Sequence, residues 1–301
     1  MRKLAAISAA VLLALAGLLL AARHLAVRGM EALIQVHPQG SRTPAALGLR
    51  YDSLEVKSGP RTLRAYFVPA ADPGAPALLV YHGNGESISS WVPALRVLHD
   101  GGISAMVFDY SGFGRSDGAA TLDNLLADGV AAWESFRSRL PAEARACAYG
   151  LSLGTAIVVA DAPRLSPPPD CVALSGAFTS ARDVAVRFGR VPRWAAWILP
   201  DVLDTERGAA LVPSPLLVEH GDEDEMFPVE MARRIAATKP GARLAIVPGM
   251  RHADPVARPT EREWRPVIDF VREGATGVAE RSSSSDPGSR PGPAPLPPGP
   301  R

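Results

Sequence analysis

The sequence is short of the residues that build cross-links and metal cages. Its 301 residues include two cysteines, Cys147 and Cys171, too few for a disulfide framework or a four-thiolate zinc site. No CxxC or HExxH pattern occurs, so nothing points to a metal enzyme. Charge of one sign is also missing. The formal net charge is +1, which gives no global attraction to nucleic acid. Lysine is scarce, with Lys3, Lys57 and Lys239 alone among 32 basic residues. Aromatic residues make up 6% of the chain. Apolar residues are not lacking: they make up 47%, which excludes a wholly disordered chain and suffices for a core. The length suits one large α/β domain or two small ones.

The two ends stand apart. Residues 4–22 (LAAISAAVLLALAGLLLAA) carry no charge, with Arg2 and Lys3 before them and Arg23 and Arg28 after. As a helix this run is about 28 Å long, close to the hydrocarbon thickness of a bilayer. A cleaved signal peptide has a shorter apolar run and small residues at the cleavage site. Here Arg23 follows Ala21-Ala22 at once, and no cysteine follows for lipid attachment. Residues 1–28 therefore read as an uncleaved single-pass anchor and its flanks. The first flank holds the greater positive charge, which leans towards a cytoplasmic N-terminus and an external position for the rest of the chain. At the other end, 280–301 holds seven of the 29 prolines and almost nothing apolar, and reads as a disordered tail.

Between them, from about 45 to 275, strand and helix patterns alternate. The stretches 49–56 and 61–70 flank the turn Ser58-Gly59-Pro60 and suggest an antiparallel hairpin. Short continuous apolar runs follow at 77–83, 103–110, 146–150, 171–176, 215–221 and 243–249. Such runs read as strands buried on both faces of a parallel sheet. Helical patterns fit 88–100, 121–139, 153–162, 228–238 and 261–273. The expected fold is an open, mostly parallel sheet with helices on both faces, and function in such sheets gathers at the carboxyl ends of the strands.

The sharpest motif lies at such an end. Gly150-Leu151-Ser152-Leu153-Gly154 is a G-x-S-x-G between a strand pattern and a helix pattern. A sharp turn there strains the serine backbone and lifts its hydroxyl to the top of the sheet, near a helix N-terminus that favours negative charge. The alternative is a Gly-rich structural turn without chemistry. A serine hydroxyl needs a base, and the base needs an orienting acid. The chain order for this architecture is serine, acid, histidine. Two histidines follow Ser152. His220 ends a predicted strand and reads as structural; His252 lies in a loop that can reach the sheet top. The acid is ambiguous on chemistry alone, because Asp222-Glu223-Asp224-Glu225 are four consecutive carboxylates.

With these residues in view, the chain resembles the α/β-hydrolase superfamily over about 45–275. It is most similar to the branch of membrane-tethered serine hydrolases, monoacylglycerol-lipase-like and serine-aminopeptidase-like enzymes. The matching pieces are His82-Gly83-Asn84-Gly85, Asp109 to Ser116, Gly150 to Gly154, His220 to Asp224 with Phe227-Pro228, and His252. The resemblance implies the α/β-hydrolase fold and a carboxylesterase or lipase-type activity, with thioesterase, peptidase or non-catalytic binding as alternatives. It implies Ser152 as nucleophile, His252 as general acid/base and Asp224 as acid, with Asp222 as fallback. Asn84 and Leu153 are the implied oxyanion donors, and no cofactor is implied. Asp109 and the Gly112–Gly114 loop look structural.

The stretch 177–213 carries Phe188, Trp194 and Trp197 together with Ile198 and Leu199. The resemblance makes it a cap, and its apolar character suits a lipid-like acyl group. Cys147 and Cys171 fall in strands expected to be adjacent. A disulfide is conceivable for a domain outside the cytoplasm, but adjacent parallel strands give poor geometry for it, so two buried free thiols are the expected state.

Overall fold

A computed structural model describes residues 2–36, 40–199 and 202–273. The predicted tail at 280–301 lies outside the described residues. Eight strands form one sheet: β1 (Asp52–Ser58), β2 (Arg61–Val68), β3 (Ala77–Tyr81), β4 (Ser104–Phe108), β5 (Ala146–Leu151), β6 (Cys171–Ser175), β7 (Leu216–Gly221) and β8 (Arg243–Val247). Their order is β1-β2-β4-β3-β5-β6-β7-β8. The β1–β2 hairpin and the β2–β4 pair are antiparallel, and every pair from β4 to β8 is parallel. The strands therefore fall where the apolar runs predicted them.

Side chains alternate across the sheet, and both faces are buried from β3 to β7. The run at 243–249 was expected to be buried on both faces too, but β8 is the edge strand and stays largely exposed or half-buried. In β3, Ala77, Leu79 and Tyr81 join one cluster while Leu78 and Val80 join the other. The first cluster is covered by α3 (Leu122–Arg137), α4 (Leu153–Asp161), α6 (Thr205–Leu211) and α7 (Val229–Ala237). The second is covered by α2 (Val92–Asp100), α8 (Asp254–Ala257) and α9 (Glu261–Arg272). Trp91, Trp133 and Trp264 are fully buried in these layers. Truncating any of them to alanine costs about 3–5 kcal/mol. Local signals mark the helix starts. Thr121 caps α3 by accepting the Asn124 N–H, and Thr260 with Glu263 forms a capping box on α9.

Two regions differ from expectation in extent. The helix predicted from residue 88 starts at Val92, because Ile88 and Trp91 are used in a buried turn before it. The stretch 177–213 contains α5 (Ala181–Arg187), a 3-10 segment Arg193–Ile198 and then α6. Each is too short to print a helical period in the sequence.

The cysteines correct an expectation outright. Cys147 and Cys171 are joined as a disulfide, not left as free thiols. They sit directly opposite each other on β5 and β6, with Cα atoms 4.7 Å apart. The ordinary spacing of neighbouring strands already falls within the distance a disulfide spans, so in-register parallel neighbours can be bridged.

The apolar run continues as α1 (Arg2–Glu31), a 30-residue helix. From Ile7 to Glu31 it is long and apolar enough to cross a membrane, and its residues are exposed or half-buried, with none fully buried. Arg23 and Arg28 do not stop it. The helix runs nine residues past Ala22, about 13 Å at 1.5 Å per residue.

Candidate active site

β5 ends at Leu151 and α4 begins at Leu153, leaving Ser152 between them at φ 52° and ψ −114°. A side chain in such a region costs about 1–3 kcal/mol and persists where the surroundings impose it. Here the Ser152 N–H donates to the Ser175 carbonyl on β6 at 3.0 Å. The Ser152 carbonyl accepts the Thr155 N–H at 3.0 Å and its hydroxyl at 2.6 Å. The flanking glycines are required by close approach. A Cβ on Gly150 would lie 2.5 Å from the Gly154 carbonyl oxygen, and one on Gly154 would collide with the Tyr81 carbonyl oxygen on β3. Leu153 is the first residue of α4, so its N–H has no intrahelical acceptor.

The turn after β7 separates the four carboxylates. Asp224 Oδ2 lies 2.8 Å from His252 Nδ1. Its Oδ1 accepts the N–H groups of Met226 and Phe227, each at 2.8 Å. Asp222 instead accepts the Gly249 N–H at 2.6 Å, and Glu225 accepts the His252 backbone N–H at 3.3 Å. Burial alone would raise the Asp224 carboxyl. The hydrogen bond and charge of His252 and the Phe227 N–H outweigh it and hold the group below its ordinary value. His220 is fully buried, with Nε2 3.0 Å from the Phe227 carbonyl and 3.4 Å from Asp224 Oδ2. It braces the acid turn from behind.

The His252 ring lies over Gly176 at the end of β6 and packs edge-on against Phe227, with centroids 5.2 Å apart. Phe227 and Ser152 line one cavity of about 370 Å³. Among the described residues, no hydrogen bond joins the Ser152 hydroxyl to the imidazole. Such bonds are commonly loose until substrate binds. The other cavity walls are mostly apolar, including Phe178, Val184, Phe188 and Leu203. No acidic residue is among the described residues lining it.

Asn84 also lines the cavity. Its side chain has a second occupation. Oδ1 accepts the Gln35 N–H at 2.7 Å, and Nδ2 donates to the Leu33 carbonyl at 3.1 Å. The loop that carries it is held by Glu86, which sequence reasoning missed. The Glu86 carboxylate accepts the Gly83 N–H at 2.8 Å and the Trp91 indole N–H at 2.7 Å. Burial pushes Glu86 up to about 7, against the pull of those donors and of nearby His252. A carboxylate inside a Gly-rich loop, five residues before a tryptophan, was the available signal. Asp109, read as structural, is buried and accepts the Ile88 N–H at 2.8 Å.

This geometry can be set beside known proteins. The family described as Serine aminopeptidase, S33 matches residues 73–207. The Mycobacterium tuberculosis protein Rv2307c is 31% identical over 229 residues, which is 75% of this chain and 79% of that one. The lysophosphatidylserine lipase ABHD12 of Danio rerio is 24% identical over 177 residues, 53% of this chain and 46% of its own. Among solved structures, the Pyrococcus furiosus esterase Pf2001 superposes with a TM-score of 0.62 at 18% identity, covering 80% of this chain and 97% of that one. This chain belongs to the α/β-hydrolase superfamily. It is a hydrolase, and its eight-stranded, mostly parallel sheet with helices on both faces is the fold shared with that esterase. In this hydrolase Ser152, Asn84, Asp224 and His252 all follow the carboxyl ends of parallel strands, which is where such sheets bind ligands.

Proposed function

We propose that this hydrolase cleaves carboxylic esters through an acyl-enzyme on Ser152, with His252 as general acid/base and Asp224 as the orienting acid. The observation that carries the reading is the strained Ser152 turn, opening into an apolar cavity whose wall residue Phe227 also packs on the hydrogen-bonded His252–Asp224 pair. The Ser152 oxygen attacks the ester carbonyl as His252 takes its proton. The oxyanion is received by the backbone N–H groups of Leu153 and Asn84, each such donor being worth about 3–4 kcal/mol in the barrier. His252 then protonates the departing alcohol, and water repeats the cycle on the acyl-enzyme. Asp224 keeps the imidazole in the tautomer that accepts from serine.

The apolar walls favour a lipid-like acyl group. Among the described residues lining the cavity none is acidic, which disfavours a peptidase that must hold a free amino terminus. The lipase named among the relatives points the same way. On this reading 1–28 is a single-pass anchor, 45–275 the catalytic domain, and 177–213 its cap. The disulfide and the charge flanks support an extracytoplasmic catalytic domain. Hydrolysis of p-nitrophenyl butyrate, octanoate and dodecanoate by the detergent-solubilised protein tests the reading. Octanoate or dodecanoate is expected to be preferred, and Ser152→Ala to lower kcat on the order of 10⁶-fold. Ester hydrolysis unaffected by Ser152→Ala would refute it.

A further inference from the structure

The cavity beside Ser152 has a wall that does not come from the sheet. Met30 at the end of α1, and Leu33, Ile34 and Gln35 just after it, line the same cavity as Ser152 and Phe227. This segment is fastened at both ends. Glu31 accepts the Leu122 N–H at 3.0 Å, satisfying a free donor at the start of α3. Two to four residues on, Asn84 grips the Leu33 carbonyl and the Gln35 N–H, and the Gly85 N–H donates to the Gln35 carbonyl at 3.0 Å. Between these clamps Ile34 packs against the main core. A linker that merely tethered a domain would need none of these contacts.

We infer that the distal end of α1 and residues 33–35 form the acyl-group wall of the site, and that Met30, Leu33 and Ile34 determine which chain length fits. The inference rests on Ser152 being the nucleophile, and on no choice between ester and thioester. One strip of chain then does two jobs. It ends the apolar helix and closes the substrate cavity, with Asn84 serving both the wall through its side chain and the oxyanion through its backbone.

The test uses alkyl fluorophosphonates of short and long chain on the full-length protein in detergent, and reads the ratio of their labelling rates at Ser152. A ratio within one preparation cancels differences in folded fraction. Ile34→Trp fills the cavity and is expected to lower the long-to-short ratio about tenfold or more. Leu33→Ala enlarges it and is expected to shift the ratio the other way. Leu25→Trp, on an exposed part of the same helix away from the cavity, is expected to leave the ratio at the wild-type value. An unchanged ratio in both wall variants overturns the inference, as does an equal shift in Leu25→Trp. A wild-type protein that labels with neither probe removes the Ser152 reading itself, and the wall proposal with it. That outcome is distinct from labelling without chain-length response.

Discussion

The cavity has a floor and a wall, and they are built by opposite means. The floor comes from the ends of parallel strands: Ser152 and Leu153 after β5, Phe227 beyond β7, Asn84 after β3. Its backbone is locked by close approach of β3 and α4, and its side chains stand on fully buried strands. The wall comes from the end of α1 and from short helices in 177–213, where Phe188, Trp194 and Trp197 remain exposed. On the proposed reading, chemistry needs fixed geometry and is assigned to the sheet ends, while selection needs a replaceable surface and is assigned to peripheral segments.

The difference can be broken by substitution. On the floor, His252→Ala is expected to lower kcat on the order of 10⁶-fold, as loss of the nucleophile does. A loss below a hundredfold would mean that another base serves Ser152. Asp224→Asn is expected to cost about 10⁴-fold by placing the imidazole in the wrong tautomer. Asp222→Asn is expected to change kcat by less than about tenfold, since that side chain holds the Gly249 N–H instead. Equal effects from the two would erase the geometric choice of Asp224.

Beneath the floor, the β5–β6 disulfide is expected to stabilise the fold by about 2–4 kcal/mol. Comparing the denaturant midpoint of the wild type with that of the double variant Cys147→Ala/Cys171→Ala measures this. On the wall, Phe188→Ala is expected to alter the octanoate-to-butyrate preference by less than about tenfold while leaving Ser152 reactive. A complete loss of labelling there would place the wall in the catalytic machinery.

A separate effect concerns pH. Burial pushes Glu219, under the β6–β7 ends, up to about 8, despite the hydrogen bond from the Ser175 hydroxyl. Its ordinary value is 4.5. Between those values the folded chain holds a proton that the unfolded chain has released. The group's contribution to stability is therefore full below about 4.5 and lost as pH rises through about 8. Thermal midpoints are expected to fall from pH 5 to pH 8, and Glu219→Gln to flatten that fall. An identical slope in the variant would assign the pH response elsewhere.

The same division explains what could be read in the sequence. Strands buried on both faces leave continuous apolar runs, and a G-x-S-x-G at a strand-to-helix junction leaves its glycines because no other residue fits. Both were legible. The choice among Asp222 to Glu225 was not a matter of local pattern. It depended on which carboxylate a loop 28 residues away could meet. The Cys147–Cys171 bridge was misjudged because it depends on strand register, which the runs do not fix. The wall was invisible for a third reason. Met30 to Gln35 look like the end of a hydrophobic helix and a short connector, and nothing local announces that Asn84, 49 residues on, will grip them.

The central claim is that one hydroxyl, held at the head of α4, is the reacting atom. Peptide mass mapping of the native, full-length protein after treatment with an alkyl fluorophosphonate tests it most directly. The account expects a single phosphonyl adduct on the peptide containing Ser152, abolished when the protein is denatured before treatment. An adduct on a different residue, or none on folded protein, would contradict it.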